Sequence, residues 1–66
     1  MKIKVNGEEK ILNDSSTLLD LIEQLGVKER VMASAVNMEI VKQDAWNNTT
    51  LHDGDSIELL DFVGGG

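Results

Sequence analysis

Between residues 17 and 25 the apolar side chains fall at helical spacing, and the remaining ordered segments read as strands. Leu18, Leu21, Ile22 and Leu25 stand at i, i+3, i+4 and i+7, one face of a helix. Asn13-Asp14-Ser15-Ser16-Thr17 is a helix-start cluster, and Thr17 with Asp20 has the spacing of a capping box. Gly26 stands where a left-handed cap is expected. Leu19 lies off the stripe as a flank contact. Asp20, Glu23 and Gln24 take the wet side. A helix of about two turns cannot bury its apolar face alone, so a sheet has to cover it.

The strands are legible from period-2 alternation and turn dipeptides. Ile3 and Val5 alternate with Lys2 and Lys4, Asn6-Gly7 fits a tight hairpin, and Glu9 to Leu12 returns as a second strand. Val31 to Asn37 is a third strand, with Val31, Ala33 and Ala35 expected to face the helix and Met32, Ser34 and Val36 to face away. Asn37-Met38-Glu39 reads as a turn and Ile40-Val41 as a short strand. Lys42 to Thr50 is irregular and polar, with Ala45 and Trp46 embedded. His52-Asp53-Gly54-Asp55 is a turn. Ser56 to Val63 is the last strand, with Ile57 and Leu59 on one face and Glu58, Leu60 and Phe62 on the other.

The order β-β-α-β-β-β packs most simply as an α+β domain, a mixed sheet of four to five strands with one helix on one face. The first hairpin and the last strand then meet centrally. This is the β-grasp architecture of ubiquitin-like proteins. Residues 1–63 form the domain and residues 64–66 a mobile glycine tail. The other sheet face stays open, with Leu60, Phe62, Val36 and Met32 expected on it as an interaction patch.

Composition removes most chemistry from a chain of 66 residues. It has no cysteine and a single histidine, His52, so thiolate sites, disulfides and histidine pairs are excluded. Asp53 and Asp55 flank Gly54 without the ligand spacing of a calcium loop and read as turn residues. No metal or cofactor site is expected. Trp46 reads as a plug over one end of the core, and His52 as a solvated turn residue. The net charge is −6, and residues 43–66 contribute Asp44, Asp53, Asp55, Glu58 and Asp61 without a base. Such a surface repels phosphate backbones, so nucleic acid is not an expected partner. No apolar run approaches the roughly 20 residues of a membrane span. With no signal-peptide stretch at the start, the expected location is cytoplasmic and not a membrane.

Gly64-Gly65-Gly66 is the chemically informative feature. Ordered glycine has the largest entropy cost, and a glycine run buries nothing. Extended, three residues reach roughly 10 Å past the domain and pass channels closed to any side chain. The Gly66 carboxylate can then be activated as an acyl adenylate in a partner's active site. The chain would be a substrate, not an enzyme.

Here the sequence resembles the ThiS family, the sulfur carriers of thiamin biosynthesis, over essentially its whole length. The resemblance runs through Val5-Asn6-Gly7-Glu8, Thr17-Leu18-Leu19-Asp20-Leu21-Ile22, Ala35-Val36-Asn37 and Glu39-Ile40-Val41. It continues through Trp46, through Leu51-His52-Asp53-Gly54-Asp55-Ser56-Ile57-Glu58, and through Phe62-Val63-Gly64-Gly65-Gly66. It implies that an ATP-dependent activating enzyme adenylates Gly66 and that a sulfur donor system converts it to a thiocarboxylate. Thiazole synthase then takes the sulfur. Gly65 and Gly66 match the family's terminal pair. Lys42-Gln43 departs from the proline and arginine frequent there in the family, which leaves partner contacts of the 42–50 loop open. Partner contact is expected at Leu60, Phe62, Val63 and Gly64, with Asp55, Glu58 and Asp61 as acidic neighbours. Two other readings share the fold: the small subunit of molybdopterin synthase, whose members are usually longer with proline before the glycines, and a ubiquitin-like modifier or interaction domain.

Overall fold

Asn6 and Gly7 take φ angles of 50° and 87°, the mirror-image turn whose twist matches that of the flanking strands. It joins β1 (Lys2–Val5) antiparallel to β2 (Glu8–Ile11), with Val5 opposite Glu8. The second strand thus ends one residue before Leu12, which is buried in the core instead. The structure is a computed structural model and describes residues 1–61; Asp61 is described in its backbone alone. Phe62, Val63 and the expected 64–66 tail, with the domain boundary between them, lie outside the described residues.

Helix α1 (Leu18–Gln24) has the expected caps. The Asp20 amide donates to Thr17 Oγ1 at 3.1 Å, and the Thr17 amide donates to Asp20 Oδ2 at 2.9 Å. Leu25 is the C-cap, and Gly26 follows at φ 72°, where a side chain would be strained. Leu18, Leu21 and Ile22 are buried against Ile3, Val5, Val31, Leu51 and Ile57 in one core, with Leu19 packed at its flank. The helix therefore covers one face of the sheet.

Strands β3 (Val31–Val36) and β4 (Glu39–Lys42) form a second hairpin, through Asn37 and Met38 at φ 51° and 73°. The last described strand is β5 (Ser56–Asp61). It lies parallel to β1 and antiparallel to β3, giving the order β2-β1-β5-β3-β4. Among the described residues the mixed sheet has five strands, the upper number of the four to five expected, with β1 and β5 paired at its centre.

The faces of β3 differ from the simple alternation. Its register against β5 shifts between Val31 and Ala33, a bulge that reverses the in–out sense of every later residue. Val36 pairs with the fully buried Ile57 and Ser34 with Leu59, so these face the helix. Ala33 pairs with Leu60 and Ala35 with Glu58, on the open face. The expected positions of Ala33, Ala35, Ser34 and Val36 are thus corrected, while Val31, before the bulge, faces the core as expected. Ser34 is completely buried and donates its hydroxyl to the Glu58 carbonyl at 2.9 Å.

The 42–50 stretch is more regular than its polarity suggests, because residues Gln43–Asn48 form a 3₁₀ helix. Trp46 is 2% exposed and donates its indole N–H to the Val41 carbonyl at 2.9 Å. The Gln43 amide donates to the Val31 carbonyl at 3.0 Å. An antiparallel bridge between Thr17 and Thr50 fastens this segment to the helix start. Trp46 is a plug, as its isolation in a polar stretch implies.

Candidate functional site

The open face is built by the strand that leads toward the glycine run. Along β5, Glu58 and Leu60 point away from the helix, paired with Ala35 and Ala33 of β3. Across β3, Ala35 pairs with Ile40 and Ala33 with Lys42. Two alanines thus make a low floor between Leu60 and Ile40. Met32, displaced by the bulge, is half exposed beside them, and Ile40 is 61% exposed. Met32, Ala33, Ile40, Lys42, Gln43 and Asp44 line a shallow apolar depression with one base and one acid at its border. Exposed apolar surface rimmed by charge is the usual form of a docking patch.

The expected site residues separate into three groups. Leu60 and Glu58 sit on the open face, Leu60 half-buried and Glu58 exposed. Asp61 is in the strand by its backbone; Phe62, Val63, Gly64, Gly65 and Gly66 lie outside the described residues. Asp55 has a task inside the domain. Its Oδ1 accepts from the Asn37 side-chain Nδ2 at 2.9 Å and its Oδ2 from the His52 backbone N–H at 2.8 Å, leaving its side chain 13% exposed. Asp53 does similar work, accepting from the Lys2 N–H at 2.7 Å. Both aspartates thus build the turn that starts β5. His52 is largely exposed, as expected for a turn residue. Among the described residues, no group of three or more His, Asp or Glu side chains is arranged to hold a metal ion.

Ile40 and the open-face role of the alanines were not legible from alternation, because the bulge at Met32 cannot be read from a strand pattern. A second omission is the side-chain work of Asn6 and Asn37, which the sequence marks only as turn residues. Asn6 Oδ1 accepts from the Leu59 N–H at 3.0 Å, and Asn37 Oδ1 from the Ser56 N–H at 2.9 Å. Each hairpin therefore reaches sideways to β5.

Residues 3–66 match the model of the ThiS family. The chain belongs to the ThiS family, the sulfur carriers of thiamine biosynthesis. The Escherichia coli sulfur carrier protein ThiS is 32% identical over the whole of both chains. The Bacillus subtilis protein of the same name is 31% identical, over 97% of this chain and 98% of its own. A solved structure, the thiamine biosynthesis protein ThiS from Geobacter metallireducens, superposes with a TM-score of 0.83 at 34% identity, covering both chains completely. A thiazole synthase from Paramagnetospirillum magneticum is 39% identical over this entire chain, which spans 20% of that protein's length. The ThiS β-grasp thus accounts for the sheet order, and the open face of this ThiS-family chain is the outward side of that fold.

Proposed function

We propose that this chain carries sulfur as a thiocarboxylate on Gly66. The observation that carries the reading is the match to sulfur carriers along complete chains, running through the glycines to residue 66. An activating enzyme joins the Gly66 carboxylate to AMP from ATP, releasing pyrophosphate. A sulfur donor system then supplies a sulfide equivalent that displaces AMP and leaves C(=O)S⁻. The carrier contributes no catalytic group; it is a substrate that its partners recognise. Gly65 and Gly64 let the end enter a narrow channel, since neither carries a side chain.

The open face supplies recognition. Leu60 and Glu58, followed along the chain by Asp61, Phe62 and Val63, lie on the way to the reacting carboxyl. Asp55 supports this surface by holding the start of β5. Thiazole synthase is the proposed sulfur acceptor. A thiazole synthase containing a stretch like this whole chain supports that pairing, since one polypeptide gives carrier and synthase a high effective concentration. The same comparisons favour thiamine over the molybdopterin reading. Acidity weighs against nucleic acid, and no described helix is long and apolar enough to cross a membrane. The proposed location is the cytoplasm, with ATP and the activating enzyme.

The test is intact mass spectrometry after incubation with an activating enzyme, ATP and a sulfur source. Replacement of one oxygen by sulfur is expected, and deletion of Gly66 should abolish it. An unchanged mass, where the E. coli carrier is converted in parallel, would sink the proposal.

A further inference from the structure

Strand β5 is held in two different ways along its length. Around Ser56 and Ile57 it is flanked by β1, with the Lys4 N–H donating to Asp55 O and the Asn6 N–H to Ile57 O, each at 2.9 Å. Beyond that point β1 has turned away into its hairpin. The next N–H on this side, that of Leu59, is taken by the Asn6 side chain at 3.0 Å. The carboxamide oxygen stands where a longer β1 would place its next carbonyl. On the opposite side, the β3 ladder shifts register between Ala33, opposite Leu60, and Val31, opposite Asp61, and continues across the bulge. Among the described residues, β5 beyond Leu59 is therefore held from the β3 side alone.

We propose that Asn6 is a positioning residue that extends the β1-side hold on β5 to Leu59, and hence sets how firmly this strand is ordered when a partner enzyme binds the chain that follows it. This rests on the sulfur-carrier reading above. The turn makes Asn6 suited to the task. Its backbone is fixed at φ 50° with Gly7 at 87°, so the carboxamide is aimed by a tight hairpin rather than by a long loop. A strand that loses this rung is less ordered, and ordering it on binding weakens recognition. Asn37 provides a built-in comparison. It has the same turn geometry, φ 51°, and makes the same kind of bond, but to Ser56 at the other end of β5.

The experiment compares Asn6→Gly, Asn6→Asp and Asn37→Gly with the parent chain. Glycine accepts the turn angles and removes the acceptor; aspartate keeps an acceptor oxygen. Amide hydrogen exchange by NMR should show Leu59 exchanging several-fold faster in Asn6→Gly and near the parent rate in Asn6→Asp. In ATP–pyrophosphate exchange with an activating enzyme, Asn6→Gly should raise the KM for the carrier about fivefold at similar kcat, the scale of one lost hydrogen bond. Asn6→Asp should restore most of it, and Asn37→Gly, which also removes a donor to Asp55, should lower thermal stability and move KM less than Asn6→Gly does. An unchanged KM in Asn6→Gly, or an equal rise in Asn37→Gly, would overturn the proposal. A parent chain that supports no exchange reaction would instead overturn the carrier reading and the role in recognition with it. The Leu59 exchange rate would still decide whether the clamp exists.

Discussion

Met38 occupies the turn position that glycine fills in the first hairpin. Its φ of 73° is left-handed, and its side chain is 92% exposed, so no packing offsets the strain. Met38→Gly should stabilise the domain by about 0.5–1 kcal/mol, the left-handed penalty less the added entropy of glycine in the unfolded chain. Urea denaturation reads this directly; a destabilised variant would mean that Met38 makes compensating contacts. Trp46 is the opposite case, buried and bonded. Trp46→Phe loses ring volume and the hydrogen bond to the Val41 carbonyl. It should cost about 2 kcal/mol, measured as a lower denaturation midpoint at unchanged slope. In a chain this small that is a large part of the total stability.

Helix α1 is too short to persist without its caps and its buried face. It has seven residues and no basic side chain in its last turn. Thr17→Ala removes one half of the capping box and should lower stability by about 1 kcal/mol. Faster amide exchange at Asp20, the donor to Thr17, would mark the loss as local to the helix start. This element was fully legible in the sequence because periodicity, cap and terminating glycine agree with one another. The first hairpin was legible for the same reason. β3 was legible as a strand, but its facing was not. One extra residue at Met32 exchanges its two faces, and nothing local distinguishes a bulge from continued alternation. The candidate site was therefore readable along β5, at Glu58 and Leu60. It was unreadable across β3 and β4, where Ala33, Ala35 and Ile40 complete it. The lateral bonds of Asn6 and Asn37 were hidden because they join residues far apart in sequence.

At the scale of the molecule, acidity concentrates toward the half of the chain that leads to the glycines. Glu58 lies on the open face beside Leu60, so a partner with a basic surface would be steered there. Glu58→Lys should slow association with such a partner several-fold at low salt and flatten its dependence on ionic strength. Stopped-flow association rates check this; unchanged rates would leave the acidic bias to solubility. The central pairing of β1 with β5 has a consequence for synthesis. Until Ser56–Asp61 are made, the chain holds two separate hairpins and a helix without a continuous sheet to cover. The burial of Ile3, Val5 and Ile57 in one core has to wait until β5 is translated. Assembly of the whole sheet thus depends on translation having passed β5. A chain ended before β5 has no strand to join its two hairpins, whereas a folded copy has been read to the threshold of the glycine run.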